Sequence, residues 1–169
     1  DMLNDVRALR RPGAMAAAAA AGVPVCLMHM QGTPELMQEA PLYDDVVAEV
    51  LAWLNGRVAE CVAAGVPRQS LILDPGFGFG KTLEHNLELL RRLDELVAMG
   101  LPVLAGLSRK SMIGQLLGES RSAVPAERLG GSLALALQAR ERGARIVRVH
   151  DVAPTVQAFR VMEGLGSNS

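Results

Sequence analysis

Short runs of consecutive apolar residues alternate along this chain with longer stretches in which apolar positions recur every three or four residues. The runs are Val25-Cys26-Leu27-Met28, Leu71-Ile72-Leu73, Val103-Leu104-Ala105 and Ile146-Val147-Arg148-Val149, and Met2-Leu3 reads as the tail of another. Continuous apolar runs this short are what strands buried on both faces look like, so they predict five strands in a parallel sheet. The intervening stretches predict helices. Pro12 to Ala21 is Ala-rich and opens on a proline, which fits the first turn of a helix. Asp44 to Ala64 carries Val47, Val50, Leu51, Leu54, Val58, Cys61 and Val62 at helical spacing behind two acidic residues that complement the helix dipole. Leu83, Leu87, Leu90, Leu93, Leu96 and Val97 form a second stripe, and Ser132 to Arg142 and Asp151 to Gly164 predict two more helices, with Pro154 in the first turn of the last.

A recurring phrase sets the rhythm. Gly22-Val23-Pro24, Gly65-Val66-Pro67, Gly100-Leu101-Pro102 and Gly143-Ala144-Arg145 each stand just before a predicted strand. Glycine suits the left-handed residue that ends a helix, and proline blocks its continuation. The glycines are 43, 35 and 43 residues apart, room for one strand, one helix and their loops. Two architectures satisfy this pattern: an open doubly wound sheet, or part of an eight-stranded α/β barrel. The pattern does not choose between them. It shows no linker, low-complexity run or second domain, so residues 1–169 read as one domain.

Composition narrows the class. Half of the 169 residues are hydrophobic and 21% are charged, a globular balance. A net charge of −1 and an aromatic content of 3% argue against nucleic acid as a partner. No apolar run is long enough to span a membrane. Cys26 and Cys61 sit in apolar contexts and read as buried thiols of a cytoplasmic protein. The opening Asp1-Met2-Leu3 has no basic leader region and reads as the end of a strand, as if the chain began inside a larger fold.

Polar residues gather at the carboxyl end of every predicted strand, where parallel α/β folds place their sites. Asn4-Asp5, His29, Asp74-Pro75-Gly76, Ser108-Arg109-Lys110-Ser111 and Arg148 with His150-Asp151 all lie there. Helix capping competes for some of them, and Asp151 is the expected cap of the last helix. Gly76-Phe77-Gly78-Phe79-Gly80-Lys81-Thr82 is neither a P-loop, since Pro75 stands where the first glycine is needed, nor a dinucleotide fingerprint, since its third glycine is misplaced. It reads as a flexible connection or, with two aromatics, as a mobile wall beside a flat ligand. Arg109, Lys110 and Ser111 near a helix start suit an anion. Arg148 and His150, two apart and on one side of their strand, suit a phosphate beside Lys110. His85 reads as a surface residue, Met28 and Met30 as lining a pocket or core, and Tyr43 and Trp53 as packing residues. No residues show zinc-ligand spacing.

The segments Leu3-Asn4-Asp5-Val6, Cys26-Leu27-Met28-His29-Met30-Gln31-Gly32, Leu73 to Lys81, Gly106 to Ser111 and Arg148-Val149-His150-Asp151 resemble, in order, the motifs of the dihydropteroate synthase family. The resemblance runs over essentially the whole chain. It implies an α/β fold of the (β/α)8 TIM-barrel type, of which this chain would carry about strands four to eight. The family's first three strands, with a magnesium- and phosphate-binding Asn, two mobile loops and a pterin-binding Asp, would be absent. It implies that Asn4, Met28, Asp74, Lys110 and Arg148 bind the pterin, that Phe79 and Ser111 bind p-aminobenzoate, and that Arg148 and His150 take the diphosphate. Lys110, Arg148 and His150 would be the catalytic residues. The implied reaction condenses 6-hydroxymethyl-7,8-dihydropterin diphosphate with p-aminobenzoate in folate biosynthesis. The implied cofactor is Mg²⁺, held mainly outside this chain, and the implied assembly is a homodimer. Sulfonamides compete with p-aminobenzoate in this family.

Two other readings stand beside it. Lys110 among cations suits a Schiff-base barrel enzyme. A non-catalytic piece that binds pterin or diphosphate is the other.

Overall fold

The computed structural model describes residues 1–32, 41–118 and 124–166. The five expected strands are β1 (Leu3–Asp5), β2 (Val25–Met28), β3 (Leu71–Asp74), β4 (Leu104–Ala105) and β5 (Ile146–Val147). Every pairing is parallel. Strands β1, β2 and β3 form one ladder and β4 and β5 another. A bridge between Leu73 and Val103, with the Leu73 N–H donating to the Pro102 carbonyl at 2.9 Å, joins them. The strands therefore run in chain order, without the reversal that defines a doubly wound sheet.

The sheet also curls. Arg148, just past β5, donates from Nη1 to Asn4 Oδ1 on β1 at 3.3 Å. In a flat sheet those strands would be about 19 Å apart, at roughly 4.8 Å per strand. Sequential parallel order and curl together select the barrel type of α/β fold over the open sheet.

Between the strands lie α1 (Ala14–Ala21), α2 (Val46–Ala63), α3 (Leu83–Arg91), α4 (Leu93–Val97), α5 (Ser111–Leu116), α6 (Leu129–Glu141) and α7 (Val152–Gly166). Gly22, Gly65, Gly100 and Gly143 all adopt positive φ, from 63° to 96°, as their place after each helix requires.

Several boundaries differ from the sequence pattern. Helix α1 starts at Ala14 because Gly13, at φ 78°, is outside helical geometry, so Pro12 precedes the helix. Asp45 lies outside α2 as its cap, accepting from the Val47 and Ala48 N–H groups at 2.9 and 3.0 Å. The Leu83–Val97 stripe is broken at Arg92, yet Leu89, Leu90, Leu93 and Leu96 all remain buried. Helix α6 begins three residues early, leaving a 3₁₀ turn at Pro125–Arg128, and α7 begins one residue later and ends two residues later than expected.

Burial of the strands is uneven. Strands β2, β3 and β4 are buried throughout, but β1 is mostly exposed and β5 half-buried. These two are the outer members of the five, each with a strand on one side only. One face of the sheet, including Val25, Leu27, Leu71, Leu73, Val103 and Ala105, packs with α2, α3 and α4 into the main core. The opposite face carries a small cluster of Cys26, Ile72 and Leu104 with Ile146. Both cysteines are buried free thiols, and Cys26 is pushed up to about 12 by burial and then by the Asp74 charge. Among the described residues, no helix is long and apolar enough to cross a membrane.

Candidate functional site

Side chains on a strand alternate between its faces, and the register fixes which of them share a layer. Asn4 pairs with Cys26 and Cys26 with Ile72, while Met28 pairs with Asp74. Leu104 pairs with Ile146; Gly106 and Arg148 follow these strands, and a β-carbon on Gly106 would lie 2.6 Å from Arg148 Nη2. Cys26, Ile72 and Leu104 form an apolar cluster with Ile146 on the inner face. Above it, at the strands' carboxyl ends, lies a layer of Met28, Asp74, Gly106 and Arg148. The polar layer forms the floor of the site.

Asp74 is fully buried. Its Oδ1 accepts the Gly76 N–H at 2.8 Å, which sets the turn leaving β3. Its Oδ2 lies 3.0 Å from Arg148 Nη2 as an ion pair, but receives no donor in hydrogen-bonding geometry. Burial raises the Asp74 pKa, and Arg148, the Gly76 N–H and Lys110 oppose that rise. A buried carboxylate oxygen without a well-directed donor is costly and marks where a ligand's N–H group would be stabilised.

Above this floor is a hollow of about 260 Å³ lined by Asn4, Val6, Phe79, Gly106, Ser108, Lys110, Arg148, Val149 and His150. Lys110 packs its stem against Gly78, where a β-carbon would come within 3.1 Å of Cδ, and sets Nζ 4.2 Å from the centre of the Phe79 ring. This is a cation–π contact. Burial lowers the Lys110 pKa, with the Asp74 charge acting against it and Arg148 with it. Ser108 Oγ accepts the His150 N–H at 3.2 Å and lies 3.1 Å from His150 Nδ1, tying the loop after β4 to the loop after β5.

Five of the eight residues expected from sequence, Asn4, Phe79, Lys110, Arg148 and His150, line this hollow, and a sixth, Asp74, lies in the floor paired with Arg148. Met28 lies in the floor, 1% exposed, and does not reach the hollow. Ser111 is separated from the others: exposed on the first turn of α5, it lines a second hollow of about 220 Å³ with Gly78, Lys81 and Asn86. Gly78 and Ser111 of this hollow are each next in sequence to a residue lining the first, Phe79 and Lys110.

Other expectations change. Arg109 is not free for an anion. Its guanidinium makes a two-pronged pair with the Asp151 carboxylate, at 3.0 and 2.6 Å, while Asp151, the residue before α7, accepts the Thr155 N–H on its carbonyl at 3.2 Å. Arg109 adopts φ 58°, held by its own N–H donating to Ser132 Oγ at 2.9 Å and Arg128 donating to the Arg109 carbonyl at 3.1 Å. Strand β5 ends at Val147, so Arg148 and His150 share the hollow through the loop and not through strand alternation.

The glycine-rich segment is held rather than slack. Phe77 is buried in the core and only Phe79 faces the hollow. At Gly76, with φ 70°, a β-carbon would lie 1.9 Å from the His29 carbonyl oxygen, so the close approach of β2 and β3 loops requires glycine there. His85 is half-buried, completes a capping box with Thr82 and meets the Tyr43 ring. Sequence reasoning placed His29 at a strand end without a partner and gave Lys81 no role; both are buried and 3.0 Å apart. A lysine inside a glycine- and aromatic-rich segment was the available signal.

Among the described residues, no group of three or more His, Cys, Asp or Glu side chains is arranged to hold a metal ion.

A curled parallel sheet with a buried acceptor and cations around a hollow at its carboxyl end belongs to a ligand-binding α/β barrel class, and residues 1–150 match the family described as pterin binding enzyme. Dihydropteroate synthase of Escherichia coli K12 is 57% identical over 162 residues, covering 96% of this chain and 56% of that protein. The Yersinia pestis dihydropteroate synthase, solved as a sulfonamide drug complex, superposes with a TM-score of 0.94 at 49% identity over 99% of this chain and 60% of that one. The Xanthomonas albilineans enzyme in complex with 7,8-dihydropteroate gives 0.91 at 48% identity, again over 99% and 60%. The chain belongs to the dihydropteroate synthase family of pterin-binding enzymes. It spans a little under two thirds of the length of these relatives.

Proposed function

We propose that this chain forms the pterin and p-aminobenzoate side of a dihydropteroate synthase of the cytoplasm, its five strands corresponding to strands four to eight of the barrel. The observation that carries the reading is Asp74 Oδ2, buried beneath the hollow without a directed hydrogen bond. A pterin edge offers a ring N–H beside an amino group, and one carboxylate accepts both. These donors replace Arg148 at Asp74, and the guanidinium is released toward the diphosphate beside His150. Asn4 and Lys110 contact the rest of the pterin edge from either side of the hollow. Phe79 packs against the p-aminobenzoate ring, and Ser111 receives its carboxylate from the second hollow.

The chemistry is substitution at the pterin's exocyclic methylene. The C–O bond to diphosphate breaks, its electron pair leaves with the diphosphate, and the pterin ring spreads the developing positive charge. The aniline nitrogen then forms the new C–N bond and loses a proton. Arg148 and His150 stabilise the leaving group, and the site positions the two partners, so catalysis needs no side-chain nucleophile. Titrating the complete protein with a pterin in a calorimeter, then assaying 7,8-dihydropteroate formation, tests this. Binding of pterin with release of diphosphate on adding p-aminobenzoate is expected. Absence of pterin binding would defeat the proposal.

A further inference from the structure

Lys81 is buried, and its ammonium meets three acceptors: His29 Nδ1 at 3.0 Å, the Gly76 carbonyl at 3.1 Å and the Phe79 carbonyl at 3.1 Å. Three donors are thereby matched to three acceptors, the full capacity of an ammonium. The two carbonyls bracket a turn closed by the Phe79 N–H donating to the Gly76 carbonyl at 3.0 Å. Asn86 Oδ1 accepts the Gly78 N–H at 2.7 Å, and Tyr43 donates to the Gly80 carbonyl at 2.9 Å. This turn sends Phe77 into the core and Phe79 to the hollow, where Lys110 rests on its ring.

We propose that Lys81 is a positioning residue: by joining the Gly76 and Phe79 carbonyls to His29 it sets the Phe79 ring, and with it Lys110, for the aromatic amine. The inference rests on the synthase reading above. His29 fits the acceptor role. It lies edge-on to Trp53 with ring centres 5.1 Å apart, and burial and the Lys81 charge push its pKa down to about 3. It therefore stays neutral and offers Nδ1 as an acceptor, with its own proton on Nε2. Among the described residues the Lys81 hydrogen bonds go to His29, Gly76 and Phe79 and not to Asp74 or Arg148, although the Asp74 charge opposes the lowering of the Lys81 pKa to about 7 by burial. Its loss should fall on the amine side of the site and leave the pterin side intact.

The test is Lys81→Met in the complete protein, a substitution that keeps the stem and removes the donors. The KM for p-aminobenzoate should rise about tenfold, with kcat and the dissociation constant for the pterin diphosphate close to wild type. A folded variant with unchanged KM for p-aminobenzoate, or with pterin binding weakened equally, overturns the proposal. If Lys81→Met does not fold, Lys81→Gln, which retains a shorter donor, is read in the same way. Hydrogen exchange on the wild-type protein needs no variant: the Gly76, Gly78 and Phe79 amides should be protected without ligand, and fast exchange there overturns the proposal as well. Wild-type protein that lacks synthase activity defeats the synthase reading first, and this inference with it, before any variant is made.

Discussion

A β-carbon placed on Gly106 would lie 2.6 Å from Nη2 of Arg148. The absence of a side chain on the residue after β4 is therefore what lets the arginine after β5 cross to Asp74 at the end of β3. The largest side chain of the polar layer occupies the space left by the smallest, and two strands that are not neighbours are joined at the site floor.

Gly106→Ala isolates this arrangement. Gly106 does not have positive φ, so alanine adds no backbone strain, and the atom in its way is the mobile end of a side chain. With Arg148 displaced from the fully buried Asp74, thermal stability should fall below wild type, and diphosphate-bearing pterin should bind less tightly than wild type. A crystal structure of the variant with Arg148 still at Asp74, or a variant with unimpaired binding, would count against Gly106 as the device that seats Arg148.

Asp74→Asn should weaken pterin binding far more than Phe79→Ala does. An amide offers one acceptor oxygen where the carboxylate offers two, and turns a donor toward the pterin's own donors. Calorimetry with a pterin ligand measures it. Equal affinities for wild type and Asp74→Asn would remove Asp74 from the site.

Much of this site was legible because strand ends carry it. Asn4, Asp74 and Arg148 follow apolar runs that only a buried strand explains, and parallel connectivity brings all such ends to one edge. The glycine before each strand marked the unit boundaries through its backbone conformation. What was not legible depends on pairings between distant loops. Arg109 looked like a free cation because nothing in Ser108-Arg109-Lys110-Ser111 announces Asp151 as its partner. Phe77 and Phe79 looked alike because glycines around them hide which way each turns. Lys81 and His29 are 52 residues apart, and neither sits in a pattern that names the other. Arg92 interrupted an apparently single helix without disturbing the apolar stripe from which that helix was read.

Ser111→Ala should raise the KM for p-aminobenzoate modestly and leave pterin binding alone. The exposed hydroxyl lines the second hollow and, on the proposed reading, would add one hydrogen bond to the substrate carboxylate, so the loss should be on the order of 1–2 kcal/mol. Steady-state kinetics with each substrate varied in turn gives the answer. Impaired pterin binding with an unchanged KM for p-aminobenzoate would assign Ser111 to the wrong half of the site.

His29 makes an acid response measurable. Its pKa is lowered from 6.5 to about 3, by burial first and then by the Lys81 and Arg10 charges. Between those values the unfolded chain binds a proton that the folded chain refuses. The stability His29 contributes is thus complete above about pH 6.5 and is lost as pH falls toward 3, by up to a few kcal/mol, roughly. Asp74 acts in the opposite sense, because burial raises its carboxyl and the folded chain holds that proton longer. A wild-type curve alone would mix these with Lys81, whose pKa burial lowers to about 7. Denaturant midpoints followed from about pH 7.5 down to about pH 4.5 should fall more steeply in wild type than in His29→Gln, which keeps a polar group beside Lys81 but takes up no proton. Parallel curves for the two proteins would show that His29 titrates alike in the folded and unfolded chains. They would also remove the neutral imidazole as the acceptor that holds Lys81.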